Sequence, residues 1–319
     1  MADPVRTPGV LECCAAATGM VWGAVRPRRP DQRFLRSVED AGLPESPRHT
    51  VRVTALPQSP RQVPTAAVAE GTFTPFLVAN ALNSFVVEHP RATFLVDPSV
   101  CHDVEQRAIA QLPAVLRPAV RPPADSIPTV TGLRRMPNLP TPDFALPTHA
   151  HWDHVCGLLD LPDLPVRLHR VEHEWVSTGP FAPAGGVRDA LRDRTIDDYE
   201  LDGPPVLTFT ASHDLFGDGT VLLVDLAGHT PGSVGILLHT RQGWVLLAGD
   251  AAWHTRQIDD VRQKASYPGN FADDDRAQTF RTLQRLHLAR HRVRIVPTHD
   301  HSAATRLEPS RAARNTAPR

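Results

Sequence analysis

Apolar residues in this chain fall into short clusters set apart by turn formers, a pattern that favours many brief elements over long helices. Val51-Arg52-Val53-Thr54-Ala55-Leu56 alternates apolar and polar positions with period two and predicts a half-buried strand. Ser84 to Glu88 and Thr93 to Val96 are β-branched or aromatic and flank a turn with Pro90, which predicts a hairpin. Phe144 to Pro147 is a brief apolar strand that runs into a histidine cluster. Val206 to Phe209, Thr220 to Leu226, Ser233 to His239 and Trp244 to Leu247 form a strand-rich block, with turns at Gly217-Asp218-Gly219 and Gln242-Gly243. Arg294 to Pro297 is a last strand. Asp103-Val104-Glu105-Gln106 has capping-box spacing and predicts a helix through Leu112. Asp273-Asp274-Asp275 reads as a solvated helix start, with Ala277, Phe280, Leu283 and Leu286 as a buried stripe running toward Arg290. Strand blocks interspersed with helices predict an α/β fold of sheets covered by helices.

Residues 1–50 are rich in Pro and Arg without sustained period and read as a loosely ordered N-terminal extension; residues 308–319 read as a disordered tail. Pocket walls are expected from 60–82, 125–140 and 175–200. With 319 residues the chain can bury one large core, and its formal net charge of -1 offers no basic field for nucleic acid. Cys13, Cys14, Cys101 and Cys156 do not make a disulfide framework, so a reducing, cytoplasmic setting is expected, and Cys156 reads as a packing residue. Val10 to Val25 is the only leader-like stretch; it contains Glu12 and is too short to span a bilayer, so no membrane partner is expected. Oligomeric state stays open, a homodimer included.

The 16 histidines matter because several cluster. Thr148-His149-Ala150-His151-Trp152-Asp153-His154, followed by Gly157, is a His-x-His-x-Asp-His loop after a strand. His149 and His151 can share one metal while Asp153 and His154 reach a second, through ligand atoms that zinc accepts and that iron and manganese also tolerate. A two-metal site needs more donors. His229 in Ala227-Gly228-His229-Thr230-Pro231-Gly232, Asp250 after Leu246-Leu247-Ala248-Gly249, and His299 after Val296-Pro297-Thr298 each sit where a strand gives way to a loop. His301 is the competing candidate for His299.

This ordered set, with Asp97 ending Phe94-Leu95-Val96-Asp97, resembles the metallo-β-lactamase superfamily over Val51 to Leu307. The resemblance implies a four-layer αββα sandwich, two mixed sheets flanked by helices, with the metals at one edge. It further implies that His149, His151 and His229 hold one ion, that Asp153, His154 and His299 hold the other, and that Asp250 bridges. Asp97 is expected to orient a ligand histidine or the loop backbone. Two zinc ions about 3.5–4 Å apart would share a bridging hydroxide that attacks a small-molecule substrate, with Asp153 orienting it and carrying its proton.

Within the superfamily, His151 argues against redox di-iron members and Asp250 against true β-lactamases. Only 20 residues follow His299, too few for the glutathione-binding domain of glyoxalase II. The motifs and basic arm of RNA-processing members are also not found. Ser212 to Thr220 and Pro297-Thr298-His299-Asp300 are similar to the acyl-homoserine lactone lactonase branch, which predicts ester or lactone hydrolysis. Lactonases of that branch carry a tyrosine three residues after the bridging aspartate, where this chain has Trp253, an indole that donates a hydrogen bond but supplies no useful acid. Trp253 and His254 are therefore expected to shape a different ester or lactone pocket. Phosphodiester or organophosphate hydrolysis on the same metal pair is the alternative, and an idle metal-binding module the non-enzymatic one.

Overall fold

A computed structural model describes residues 10–45, 47, 49–178 and 184–307. Among the described residues thirteen strands form three sheets. The first large sheet has the order β1 (Arg52–Ala55), β4 (Phe85–His89), β5 (Ala92–Val96), β6 (Phe144–Leu146), β7 (Val166–His169), β8 (Ile196–Tyr199). The second has the order β13 (Arg294–Val296), β12 (Gly243–Leu247), β11 (Val234–Thr240), β10 (Val221–Asp225), β9 (Ser212–Asp214). β2 (Arg61–Pro64) and β3 (Leu77–Asn80) make a small antiparallel ribbon beside them. Both large sheets are mixed; β4 pairs antiparallel with β5, whereas β5–β6 and β12–β13 are parallel.

Alternation along the strands assigns the layers. Phe85, Val87, Phe94 and Val96 of one sheet and Val221, Leu223, Ile236 and Leu238 of the other belong to one buried cluster, the seam between the sheets. The intervening Leu222, Val224, Leu237 and Leu246 point outward and meet Phe280, Leu283 and Leu286 of helix Arg276–Ala289. On the opposite outer face, Ala145, Val166 and Leu168 meet Ile109, Val155, Val176 and Val187 from short helices. The order is helix, sheet, sheet, helix, as the resemblance implied.

Several local expectations change. The 206–209 stretch is a tight turn closed by a Val206–Phe209 bridge, with Leu207 at φ 52°, and not a strand; two prolines ahead of it have no N–H to offer a ladder. Asp103 sits in the left-handed region at φ 51° with no side-chain cap, so no capping box forms, and the helix it precedes is only Val104–Arg107 before a tighter turn at Ile109–Gln111. Residues 10–45 carry more structure than their composition predicts. Helix Val10–Val25 packs on helix Ser266–Ala272, and the Gln284 side chain accepts from the Asp31 N–H at 2.7 Å. The expected tail at 308–319 and the first nine residues of the extension lie outside the described residues. Among the described residues no helix is long and apolar enough to cross a membrane.

Candidate metal centre and its cavity

Every predicted ligand lies at one edge of the two sheets, on a strand-to-loop junction or, for Asp153 and His154, on the short helix Trp152–Val155 that follows one. His149, His151, Asp153 and His154 follow β6; His229 joins β10 to β11; Asp250 follows β12; His299 follows β13. Glycine makes two of these junctions possible. A Cβ on Gly228 (φ 133°) would lie 2.4 Å from the Thr279 backbone nitrogen, and one on Gly249 (φ 51°) would strike Thr148 Oγ1 at 2.6 Å.

The ligand atoms form three groups, each within 4.8 Å: His149, His151 and His229; Asp153, His154 and His299; and His149, His154 and Asp250. His149 Nε2 lies 3.0 Å from His151 Nδ1, which lies 2.8 Å from His229 Nε2. Asp250 stands between the groups. Its Oδ2 lies 3.4 Å from His229 Nε2 and 3.2 Å from His299 Nε2, while its Oδ1 lies 3.1 Å from His299 Nε2 and 3.3 Å from His154 Nε2. Asp153 Oδ2 is 3.4 Å from His299 Nε2. His301 opens helix His301–Thr305, half-buried, and takes no part.

The surroundings fix which nitrogen each ring presents. His229 Nδ1 faces Asp273 Oδ1 at 2.9 Å, His299 Nδ1 faces the Ala81 carbonyl at 3.0 Å, and His154 Nδ1 faces Asp97 Oδ2 at 2.9 Å. For His299, an Nδ1–H directed to the Ala81 carbonyl turns the Nε2 lone pair into the cluster; His154 Nδ1 lies beside Asp97 without an aligned hydrogen bond, and His229 Nδ1 is also 3.0 Å from Lys264 Nζ. Asp97 also accepts from the Thr148 N–H at 2.7 Å and from Thr298 Oγ1 at 2.8 Å, so one carboxylate ties the histidine loop of one sheet to the last strand of the other.

The donor set fits a pair of divalent cations. His154 Nε2 and Asp250 Oδ1 are buried and have close neighbours but no aligned hydrogen bond, the condition a bound cation would relieve. Burial, reinforced by the neighbouring imidazoles, holds His149 and His151 well below the usual imidazole range, so their lone pairs stay free for coordination. Burial opposes charge on His154 and His299 too, but Asp97 and Asp250 outweigh it for His154, and Asp250 for His299. The field that draws a proton to those rings also draws a cation.

Three groups at this centre escaped the sequence reading. Asp273 is no solvated helix start: its side chain is 2% exposed and accepts from Lys264 Nζ at 2.7 Å as well as facing His229. Asp275, two residues on, is the exposed residue that caps helix Arg276–Ala289. Lys264, also buried, donates to the Asp250 carbonyl at 3.0 Å and lies 4.5 Å from the centre of the Trp253 ring. It is the only lysine in the chain, a compositional signal that could have singled it out. Glu172 is fully buried and accepts from the Ala150 and Gly232 N–H groups at 2.7 and 3.0 Å, joining the histidine loop to the Gly-His-Thr-Pro-Gly turn. Burial raises its carboxyl to about 7 despite those bonds.

Trp253 lies at the centre, its indole N–H donating to Asp250 Oδ2 at 2.7 Å. His254 does not, contrary to expectation: its Nδ1 caps helix Thr255–Asp260 by accepting from the Arg256 N–H, and its Nε2 lies 3.5 Å from Asp300. Backbone turning after Trp253 sends the next side chain away from the cavity. Cys156 packs as predicted, fully buried, with its thiol directed to the Ser99 carbonyl.

The cluster floors a cavity of about 790 Å³. Away from the cluster its lining is more apolar than polar, with Met20 from helix Val10–Val25, Leu116, Val120, Trp175 and Phe271 among the contributors, though Glu12, Arg61 and Asp274 also reach it. Two of the expected wall segments, 60–82 and 175–200, contribute; 125–140 does not, and the extension supplies part of the roof instead.

The comparisons agree with this geometry. N-acyl homoserine lactonase AttM of Azorhizobium caulinodans is 28% identical over 173 residues, 50% of this chain and 59% of that protein. A probable metallo-hydrolase of Mycobacterium tuberculosis, Rv2300c, is 29% identical over 121 residues, 35% of this chain and 37% of its own length. The chain thus spans well under two thirds of these curated relatives. A crystal structure of a quorum-quenching N-acyl homoserine lactone lactonase superposes with a TM-score of 0.58 at 18% identity, covering 80% of this chain and 94% of that one, a likeness of fold. The family model of the metallo-beta-lactamase superfamily matches residues 79–299, the span from the end of β3 to His299 that contains all seven clustered donors, and the chain belongs to that superfamily.

Proposed function

We propose that this protein hydrolyses a small ester or lactone at a two-zinc centre held by His149, His151, Asp153, His154, His229, Asp250 and His299, within a hydrolase unit spanning 51–307. The observation that carries this reading is the placement of Asp250 between the histidine groups, with its carboxylate within 3.4 Å of His229, His154 and His299 Nε2. When bound, divalent cations there supply Lewis acidity and acidify water. The chain's own groups do the rest. Asp153 lies in the cavity floor, where its carboxylate can take up a proton and return it to the leaving alkoxide. Trp253 holds Asp250 Oδ2 and walls the site but has no proton to give at neutral pH. The apolar upper wall shelters an acyl chain or ring and excludes water. AttM's lactonase name supports a lactone or ester over other hydrolysable bonds. Four free thiols suit a reducing, cytoplasmic setting.

The test is metal analysis followed by a panel of lactones, nitrophenyl esters, thioesters and phosphodiesters on zinc-loaded protein. About two equivalents of zinc, with chelator-sensitive turnover of lactones or esters, is the expected result. Turnover of phosphodiesters alone would replace the substrate class, and absence of bound metal would remove the hydrolase reading.

A further inference from the structure

Arg61 stands out in the cavity wall. It lies on β2, and its register partner across the ribbon is Asn80 on β3. Direct partners in an antiparallel pair put their side chains on the same face, and both residues line the cavity. The ribbon is anchored beside the metal centre: Asn80 bridges Asp300, and the carbonyl of the next residue, Ala81, faces His299 Nδ1.

The guanidinium is held, but not neutralised. One terminal nitrogen donates to the Arg121 carbonyl at 2.8 Å and the other to the Ala119 carbonyl at 2.5 Å, both at the end of helix Arg117–Val120. Carbonyl dipoles orient the fork without cancelling its charge. Among the described residues no carboxylate lies within 4.0 Å of it. Asp153 is the carboxylate whose field reaches it, and Asp153 belongs to the metal centre. Arginine stays protonated at any working pH and carries five N–H donors, of which two are used here. A half-buried cation without an anion at hydrogen-bond range, fixed where Val63, Leu116, Ala119 and Val120 make the wall apolar, with Glu12 and Asp274 elsewhere on the lining, is an arrangement that favours an anionic guest.

We propose that Arg61, assisted by the Asn80 amide, is a carboxylate-binding subsite, and that the preferred substrates are esters or lactones carrying a free carboxylate away from the scissile bond. This rests on the hydrolase reading above and adds what selects the substrate. The carboxylate docks on the Arg61 fork while the scissile carbonyl lies over the histidine and aspartate floor. A neutral ester of the same length fills the apolar wall but leaves the guanidinium unpaired.

The experiment compares nitrophenyl hydrogen glutarate, which has a free carboxylate, with nitrophenyl pentanoate, which has none, on zinc-loaded wild type, Arg61→Gln, Arg61→Lys and Asn80→Asp. The ratio of the two kcat/KM values should favour the half-ester by ~10-fold or more in the wild type. It should fall by ~10-fold in Arg61→Gln, mostly through KM, and recover in part in Arg61→Lys. Asn80→Asp places a carboxylate beside the guanidinium and should abolish the preference even if Arg61→Gln proves poorly folded. A wild-type ratio near one, or a ratio unmoved by Arg61→Gln and Asn80→Asp, overturns the proposal. If neither ester is cleaved, the ester-hydrolase reading fails on its own. The subsite is then read on metal-free protein by titrating the fluorescence of Trp175 and Trp253 with the monoanilide of glutaric acid. Saturable binding that Arg61→Gln weakens supports the subsite, and binding indifferent to Arg61 refutes it.

Discussion

Replacing Asp273 by Asn removes one negative charge from a buried network and leaves its shape almost unchanged. Lys264, 1% exposed at its side chain, then loses the carboxylate 2.7 Å away. Stranding one partner of a buried pair costs about 3–5 kcal/mol. Lys264 retains the Asp250 carbonyl and the face of Trp253, which places the expected loss near the lower end, ~3 kcal/mol. In a large domain ~1 kcal/mol moves Tm by 2–4 °C, so Tm should fall by ~6–12 °C. His229 also loses the acceptor that orients its Nδ1–H, and zinc affinity should weaken ~10–100-fold. Burial raises the Asp273 carboxyl but Lys264 outweighs it, so its folded pKa is depressed below the usual carboxylate value. A depressed carboxylate stabilises above its unfolded pKa and ceases to as pH falls through the folded one. The gap between wild type and Asp273→Asn should therefore persist at neutral pH and close only in acid, below about 4. Calorimetry and zinc competition against a chromogenic chelator give both quantities. Adding Lys264→Met removes the stranded charge and should restore much of the Tm without restoring zinc affinity. An unchanged Tm in Asp273→Asn, or recovery of zinc affinity in the double variant, would refute the argument.

Other perturbations separate neighbouring roles. His299→Ala should lose about one equivalent of zinc and nearly all turnover, whereas His301→Ala should keep both, as metal analysis and kinetics would show. Trp253→Phe deletes the 2.7 Å bond to Asp250 while keeping an aromatic wall, and kcat/KM should drop ~5–10-fold; unchanged kinetics would exclude that bond from function. Glu172→Gln satisfies only one of two backbone donors and should cost ~1–3 kcal/mol in denaturant unfolding. Because the Glu172 carboxyl is raised to about 7, its stabilisation is complete below its unfolded pKa and is lost as pH rises toward 7. The wild type should accordingly lose ground to the Gln variant by up to ~1.4 kcal/mol per pH unit over that interval. A flat difference across that range would contradict the burial argument. His254→Ala should lower Tm through the lost helix cap, ~1 kcal/mol, with KM unaltered.

The ligand positions could be read in the sequence because a strand leading straight into a loop leaves a local trace: Phe144 to Leu146 before His149, Trp244 to Leu247 before Asp250, Arg294 to Val296 before His299. The hairpin at 85–96 was readable through the β-branched and aromatic residues that flank its turn. The groups that orient the ligands left no such trace. Asp273 and Asp275 are the same residue type two positions apart, and only the turn of Asp273 toward His229 separates a buried acceptor from an exposed cap. Glu172 sits on a polar helix and acts through backbone N–H groups of two distant loops, a relation that pattern cannot encode. The capping box at 103–106 failed because spacing does not report φ, and Asp103 is left-handed. Roof residues of helix Val10–Val25 were overlooked because their seat is formed by residues 266–272 at the far end of the chain.

A single, sealed lysine gives the molecule an unusual chemical face. Every other side-chain cation is a guanidinium or an imidazole, so amine-directed reagents find no ε-amino group on the folded surface. Acylation at Lys264 can then proceed only when the floor beneath Trp253 opens, and the rate at which one acyl group appears there becomes an internal clock for that opening. Comparing the clock with and without zinc would time the breathing of the catalytic edge directly, with no engineered label.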